Sequence, residues 1–195
     1  MANNSSLAVD SLCDQGRGKS AAVVGLYCDF LSQQEQSTIN MLGAILKQLA
    51  SRGDIPEHIR EAFQKAKKEF GGRGLRLPDM REILKKTITS LQRIFVCIDA
   101  LDEISPKHRR GLLESLQEIA QVSPNVRIFL TGRPHIDDEI VESFSKAVKI
   151  PISPTQDDIK SYLEMRLKGD ITPKAMNDQL RADIMRLIPE KISEM

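Results

Sequence analysis

The run from Ile94 to Ile98 constrains the fold of this chain more than any other part of the sequence. It holds five consecutive apolar residues, with no polar residue between them, and its branched and aromatic side chains favour a strand. A strand without alternation is covered on both faces, which is typical of a parallel sheet. We therefore predict an α/β fold in which this run is a buried strand.

Three acidic residues follow this strand directly, namely Asp99, Asp102 and Glu103. In open α/β sheets, ligands bind at the carboxyl ends of the strands. Carboxylates placed there are suited to holding magnesium beside a nucleotide. The alternative is a core strand that simply leads into a solvated acidic loop. We favour a magnesium-nucleotide site, and the alternative stays open at this point.

The rest of the sequence alternates strand-like and helix-like segments, which indicates a mostly parallel sheet with helices on both faces. We predict further strands within 21–30, at 126–130 and at 147–152, where Pro151 limits the last one. Residues 1–153 are interpreted as the sheet-and-helix domain and residues 154–195 as the start of a helical segment. In that segment Ile159, Tyr162, Leu163 and Leu167 are expected to face inward from one helix. A last helix is predicted from Thr172-Pro173, with apolar residues at Met176, Leu180, Ile184, Leu187 and Ile188.

Composition excludes several classes of function. Lysine and arginine number 28 against 27 acidic residues, so the net charge of +1 provides no general attraction for nucleic acid or for an anionic membrane. No apolar stretch approaches the roughly 20 residues needed to span a bilayer, and no signal peptide is visible. The three cysteines are an odd number, which favours a reducing compartment. We expect a soluble, cytoplasmic protein without nucleic-acid or membrane partners.

The Gly18-Lys19-Ser20 turn invites comparison with a phosphate-binding loop, whose pattern is Gly-x-x-x-x-Gly-Lys-Ser/Thr. The match is incomplete, because the position five residues before Gly18 is Cys13. The context is also reversed, since a helix-like segment precedes the turn and a strand-like run follows it. We interpret it as a basic turn. A phosphate site in an unfamiliar topology is the weaker alternative.

Four segments in order resemble the NACHT NTPases, which belong to the signal-transduction class of P-loop NTPases. The likeness is greatest to the fungal incompatibility-type and nephrocystin-like branch, and it extends from about residue 6 to the end of the chain. It implies a P-loop NTPase-like three-layer sandwich with C-terminal helices. The segments are Val24-Gly25-Leu26-Tyr27-Cys28-Asp29-Phe30, Ile98-Asp99-Ala100-Leu101-Asp102-Glu103, Leu130-Thr131-Gly132-Arg133-Pro134-His135 and Asp157-Asp158-Ile159-Lys160-Ser161-Tyr162-Leu163.

The resemblance implies a role for each polar residue of the candidate site. Asp99 would hold Mg²⁺ through water, and Asp102 with Glu103 would polarise the attacking water. Arg133 would contact the terminal phosphate of ATP or GTP. These are the parts that phosphoryl transfer requires, since it depends on positioning and on neutralising negative charge. For Arg133 the alternative is a salt bridge to Asp102 or Asp99 that closes a loop.

The resemblance departs from the family at the N-terminus. It aligns residues 5–13, which are predicted to be a helix, with the helix that follows the family's phosphate loop. The first strand and the loop would then lie outside this chain, leaving a gap in the sheet between the strands at 126–130 and 147–152. We expect a truncated module of a signalling protein whose intact relatives are nucleotide switches, with weak or no activity here, so whether it is an enzyme stays open.

The expected partners are nucleotide, a second copy of the chain, or other domains of a parent protein. The alternative from a different class of function is a non-catalytic protein-interaction scaffold derived from such a domain.

Overall fold

The computed structural model describes residues 21–51, 53–69, 74–169 and 176–193, together with residues 9, 11, 12 and 14. The chain divides into two compact units, Met1–Ala147 and Val148–Met195. The domain boundary predicted after residue 153 is not tested by this division and stays a prediction. The Gly18-Lys19-Ser20 turn and most of the helix predicted at residues 5–13 lie outside the described residues.

A parallel sheet forms the centre of the first unit. Its strands lie in the order β1 (Ala21–Tyr27), β2 (Arg93–Asp99) and β3 (Val126–Leu130). Tyr27 lies opposite Asp99, and Ile98 lies opposite Leu130, so the three carboxyl ends meet at one edge. The predicted α/β class with a parallel sheet is therefore confirmed.

Five helices flank the strands among the described residues of this unit: α1 (Thr38–Ala50), α2 (Glu57–Glu69), α3 (Leu77–Thr89), α4 (Pro106–Val122) and α5 (Asp137–Ser143). Their apolar stripes pack with the sheet in one core. Ile94, Val96 and Ile98 of β2 are each at most 1% exposed, so this strand is buried as predicted. The core fixes β2 and with it the position of the acids that follow.

At Gly25, a side chain pairs with the backbone of β1, which has no second strand neighbour among the described residues. The Gln48 carboxamide of α1 accepts a hydrogen bond from the Gly25 N–H at 3.0 Å and donates to the Gly25 carbonyl at 2.9 Å. The Gln48 carboxamide thus makes the two hydrogen bonds that a neighbouring strand would make. The N–H and carbonyl of Gly25 are thereby satisfied and are not left open to pairing with a strand of another molecule.

The strand predicted at Ala147 to Ile152 is absent, and that prediction is wrong. These residues have no regular secondary structure, and Val148, Ile150 and Ile152 are 87%, 73% and 68% exposed. A strand exists only where its backbone groups pair with a neighbour, and the sheet of the described residues contains no such partner. Pro151 also lacks the N–H that a ladder needs.

Two helices form the second unit, α6 (Gln156–Lys168) and α7 (Asp178–Ser193). Thr155 and Asp158 make a reciprocal capping box at the start of α6. Ile159 is buried as predicted, whereas Tyr162, which was expected to face inward, is 37% exposed. On α7, Leu180, Leu187 and Ile188 are also each at least 37% exposed. Each helix of a pair buries only the narrow stripe of residues that faces its partner. Apolar residues outside this stripe stay exposed.

Candidate functional site

The carboxyl edge of the sheet unites residues from two neighbouring strands. Asp99 ends β2, and Thr131 directly follows β3. The Thr131 hydroxyl donates a hydrogen bond to Oδ1 of Asp99 at 2.5 Å and accepts one from the Ala100 N–H at 3.0 Å. The Asp99 carboxylate is thereby oriented by a partner on the adjacent strand, which is what a metal-holding acid requires.

The acid loop, residues 100–104, is fastened to the exit of β3 by its backbone. The Leu101 N–H donates to the Thr131 carbonyl at 2.9 Å, and the Thr131 N–H donates to the Ile98 carbonyl at 2.9 Å. Leu101 and Ile104 are 0% and 1% exposed, so the loop also has two apolar anchors in the core. These contacts fix the backbone from which Asp102 and Glu103 extend.

Ala100 turns the chain through a left-handed conformation, with φ 55° and ψ 48°. For a residue with a Cβ this conformation costs about 1–2 kcal/mol. It directs the chain straight from β2 into the short 3₁₀ turn Leu101–Glu103, which carries Asp102 and Glu103. Backbone strain of this kind persists where surrounding contacts impose it, and it is concentrated at functional sites.

Arg133 contacts both acids of the turn. Its backbone N–H donates to Oδ1 of Asp102 at 3.1 Å, and its Nε lies 3.4 Å from Oδ2 of the same carboxylate. Its Nη2 lies 3.3 Å from Oε1 of Glu103. Arg133 therefore forms the salt bridge that the sequence offered as an alternative, and its main partner is Asp102 rather than Asp99.

The two acids of the turn differ in exposure. The Asp102 side chain is 6% exposed and that of Glu103 is 23% exposed, whereas the Arg133 side chain is 72% exposed. The outer face of the arginine is thus open to solvent while it covers Asp102. Glu103 is more accessible to water than Asp102, and the Glu103 carbonyl accepts a hydrogen bond from Nε2 of Gln33 at 2.7 Å.

Gly132 permits this close approach. A Cβ at this position would lie 2.6 Å from Cδ1 of the fully buried Ile136 and 3.5 Å from Oδ1 of Asp102. A larger residue would therefore require Ile136 or the chain at 132 to shift. Sequence reasoning assigned no role to Gly132, because close packing against a side chain four residues later leaves no mark in the pattern.

Cys28 lies beside the acids, and its N–H donates to the Asp99 carbonyl at 3.0 Å. Burial, followed by the negative charges of Asp99, Asp102 and Glu103, raises the pKa of the Cys28 thiol to about 12. A thiol with such a pKa is protonated at neutral pH and is a poor nucleophile. Cys28 and Cys97 are both free thiols.

Sequence reasoning assigned no role to Thr131 or to Arg109, and both contact the acid loop. Thr131 could have been found from its place directly after β3, since the neighbouring strand ends in Asp99. Arg109 could have been found from its spacing, because it lies three and four residues before the inward-facing Leu112 and Leu113. A cation on the apolar stripe of a helix indicates a buried partner.

A direct multidentate metal site is not formed by these acids. Among the residues that the structure describes, no three His, Cys, Asp or Glu side chains are grouped as metal ligands. Asp99, oriented by Thr131, could hold a hydrated Mg²⁺, a mode in which magnesium keeps most of its waters.

Among the residues that the structure describes, no helix has the length and apolar composition that a membrane span needs.

Comparison with known proteins places this edge of the sheet in a family. No curated protein matches the chain. The family described as nephrocystin 3, N-terminal, matches residues 4–133, roughly two thirds of the chain. The match includes all three strands, the acid loop and Arg133, and it confirms the predicted nephrocystin-like branch. The chain belongs to the nephrocystin 3 N-terminal family.

Proposed function

We propose that this chain is a NACHT-type module of the signal-transduction P-loop NTPases and carries the metal-binding side of a magnesium-nucleotide site. The observation that supports this most is the orientation of Asp99 by Thr131 at the carboxyl edge of two parallel strands. Ligands of open α/β sheets bind at this edge. The nucleotide would be ATP or GTP.

Each side chain has a role that its geometry allows. Asp99 would hold Mg²⁺ through water, while Thr131 keeps the Asp99 carboxylate in place. Arg133 has an exposed guanidinium, which could leave Glu103 and Asp102 for the terminal phosphate of the nucleotide. Glu103, once released, would accept a hydrogen bond from the attacking water, and the buried Asp102 holds the Arg133 backbone.

The affinity for nucleotide is expected to be low. The phosphate-loop pattern is incomplete in this sequence, since Cys13 occupies the position of its leading glycine. Without the backbone amides and lysine of such a loop, most of the contacts to the phosphates are lost. We expect a Kd for Mg-ATP no tighter than about 1 mM, which corresponds to about −4 kcal/mol. Hydrolysis by this chain would then be slow or undetectable.

A titration with Mg-ATP followed by amide chemical shifts tests this proposal. The expected result is saturation in the millimolar range, with the largest shifts at residues 99–103 and 131–133. Asp99→Asn should abolish these shifts. The matched control is Asp138→Asn, which removes an exposed carboxylate at the start of α5 and should leave the titration unchanged. Micromolar affinity would contradict the incomplete site, and unaltered shifts in Asp99→Asn would contradict the role of Asp99.

A second candidate function is a non-catalytic interaction scaffold that associates with itself or with other domains. It is favoured by an exposed apolar cluster beside the acids, in which Tyr27, Phe30 and Leu31 are 54%, 64% and 91% exposed. Analytical ultracentrifugation separates the two functions. A scaffold should keep its self-association in Asp99→Asn and lose it in Leu31→Ser, whereas a nucleotide switch should change its association with Mg-ATP only while Asp99 is present.

A further inference from the structure

Arg109 is a buried cation whose donors are all directed at two elements of the site. Arg109 lies on α4 and is 5% exposed. Its Nε and Nη2 donate to the two carboxylate oxygens of Glu139 at 2.8 and 2.6 Å. Its Nη1 donates to the Ile104 carbonyl at 2.8 Å and approaches the Asp102 carbonyl at 3.4 Å.

These contacts join the exits of two strands. Asp102 and Ile104 belong to the acid loop that follows β2, and Glu139 lies on α5, which follows Arg133 after β3. One guanidinium therefore links the loop that carries the acids to the helix that follows the arginine. The planar guanidinium suits this arrangement, because two of its nitrogens donate to the two oxygens of one carboxylate while the third donates to a carbonyl. A lysine ammonium has a single nitrogen and cannot make this contact.

The burial of Arg109 is not explained by stability alone, since its side chain is 6% exposed while that of its partner Glu139 is 37% exposed. Desolvation of a charge offsets much of its attraction to a partner, and apolar replacements of buried ion pairs are often neutral or stabilising. What an apolar side chain cannot do is hold two carbonyls of a loop at fixed distances. The Glu139 hydrogen bonds raise the pKa of Arg109, so the fork stays charged, and the Arg109 fork in turn lowers the pKa of Glu139.

We propose that Arg109 is a positioning residue, which holds Asp102 against Arg133 and so sets the distance between Arg133 and Asp99. The significance of this role for nucleotide binding rests on the proposed function. The positioning itself is a property of the acid loop and can be measured without any ligand.

Amide hydrogen exchange in Arg109→Lys and in Glu139→Gln tests the proposal. Both variants should accelerate exchange at Leu101, Ile104 and Arg133 by about tenfold or more relative to the wild-type chain. The Leu101 N–H donates to the Thr131 carbonyl, the Ile104 N–H donates to the Leu101 carbonyl, and the Arg133 N–H donates to Asp102. Amides of β1 should be affected far less. Glu139→Gln keeps an acceptor oxygen and a partly exposed site, so it provides a folded variant if Arg109→Lys fails to fold.

The matched control is Arg81→Lys. Arg81 is also a partly buried arginine that joins two helices, through Ser115 at 2.9 Å and Glu118 at 2.8 Å, and it lies away from the acids. It should lower overall stability without selective exchange in the acid loop. If Arg109→Lys and Glu139→Gln change exchange no more selectively than Arg81→Lys does, Arg109 is only a structural residue and the proposal is overturned.

The Mg-ATP titration of the same variants separates this inference from the proposed function. If the wild-type chain shows no shifts with Mg-ATP, the proposed function fails, and the exchange measurement still decides the role of Arg109. If the wild-type chain binds, Glu139→Gln should weaken the binding at least threefold while Arg81→Lys leaves it unchanged. Equal affinity in all three chains, with unchanged exchange, would contradict the positioning role.

Discussion

The acid loop at 100–104 and the apolar segment at 148–152 come from similar sequence signals and have opposite structures. Both are associated with short runs of branched apolar residues that predict a strand. The acid loop follows a buried strand, and its own Leu101 and Ile104 are buried. In the apolar segment, Val148, Ile150 and Ile152 are each at least 68% exposed and form no strand.

The difference shows what a run of apolar residues needs in order to form a buried strand. β2 pairs with a parallel neighbour on each side, with β1 along Arg93–Asp99 and with β3 along Ile94–Ile98, so the loop after it starts from a fixed position. The apolar segment has no strand partner among the described residues. Hydrophobicity selects residues that can be buried, but the backbone partner decides whether burial occurs.

The largest expected effect comes from the same substitution in the two regions. Ile104→Ala removes a side chain that is 1% exposed and should lower the free energy of unfolding by about 2–5 kcal/mol. Ile150→Ala removes one that is 73% exposed and should change it by less than about 0.5 kcal/mol. Urea denaturation of both variants measures the two values. Equal losses would mean that the apolar segment is buried in solution.

Thr131→Val sharpens the comparison by removing one hydroxyl from the site at nearly constant volume. It deletes the hydrogen bond to Asp99 and leaves the Ala100 N–H without an acceptor. We expect a loss of about 1–3 kcal/mol. Thr89→Val is the control, because its exposed hydroxyl bonds only within α3 and its loss should be smaller than about 0.5 kcal/mol. A loss no larger than that of the control would remove Thr131 from the site.

The stability of the region around the acid loop should also depend on pH. The fork of Arg109 lowers the pKa of Glu139, and the nearby Arg110 and His135 act in the same direction. Because the folded pKa lies below the unfolded value, Glu139 stabilises the fold above that unfolded value, and this contribution is lost as the pH falls through the folded pKa.

The difference in unfolding free energy between wild type and Glu139→Gln should therefore be largest at neutral pH and should shrink below about pH 4.3, the usual pKa of glutamate. Denaturation curves recorded from pH 7 to pH 3 measure it. A difference that grows in acid would have the wrong sign.

The smallest effect is expected at the turn itself. Ala100→Gly relieves the left-handed strain at φ 55° but gives the unfolded chain more freedom. The two terms oppose each other, and the net change should be a stabilisation of no more than about 1 kcal/mol. Thermal unfolding measures it, with Ala147→Gly outside the acid loop as a comparison. Clear destabilisation by Ala100→Gly would mean that the positive φ is not imposed by the loop.

Much of the fold was predictable because it depends on patterns within the sequence. The unalternating runs identified β1 and β2, and the third predicted strand, 126–130, matches the bounds of β3. Pro106 in the first turn of α4 and the Thr155 cap of α6 follow from local chemistry that needs no tertiary contact.

The candidate site was predictable in composition but not in arrangement. The parallel sheet brings Asp99 and Arg133 to one edge, as the sequence predicted. The burial of Asp102 depends on the approach of Arg133, which Gly132 and Ile136 allow through packing. The fork of Arg109 depends on the position of α5. These contacts join residues that are distant in sequence, and no periodic pattern encodes them.

Paramagnetic broadening by Mn²⁺ tests the central claim most directly, namely that Asp99 marks the metal-binding side of a nucleotide site. Manganese accepts the same oxygen ligands as magnesium, and broadening detects even weak, rapidly exchanging binding. With Mn²⁺ and ATP present, the account predicts selective broadening of the amides of residues 99–103 and 131–133, which disappears in Asp99→Asn and persists in Asp138→Asn. Broadening that is absent from this edge, or that is unchanged in Asp99→Asn, would contradict the account.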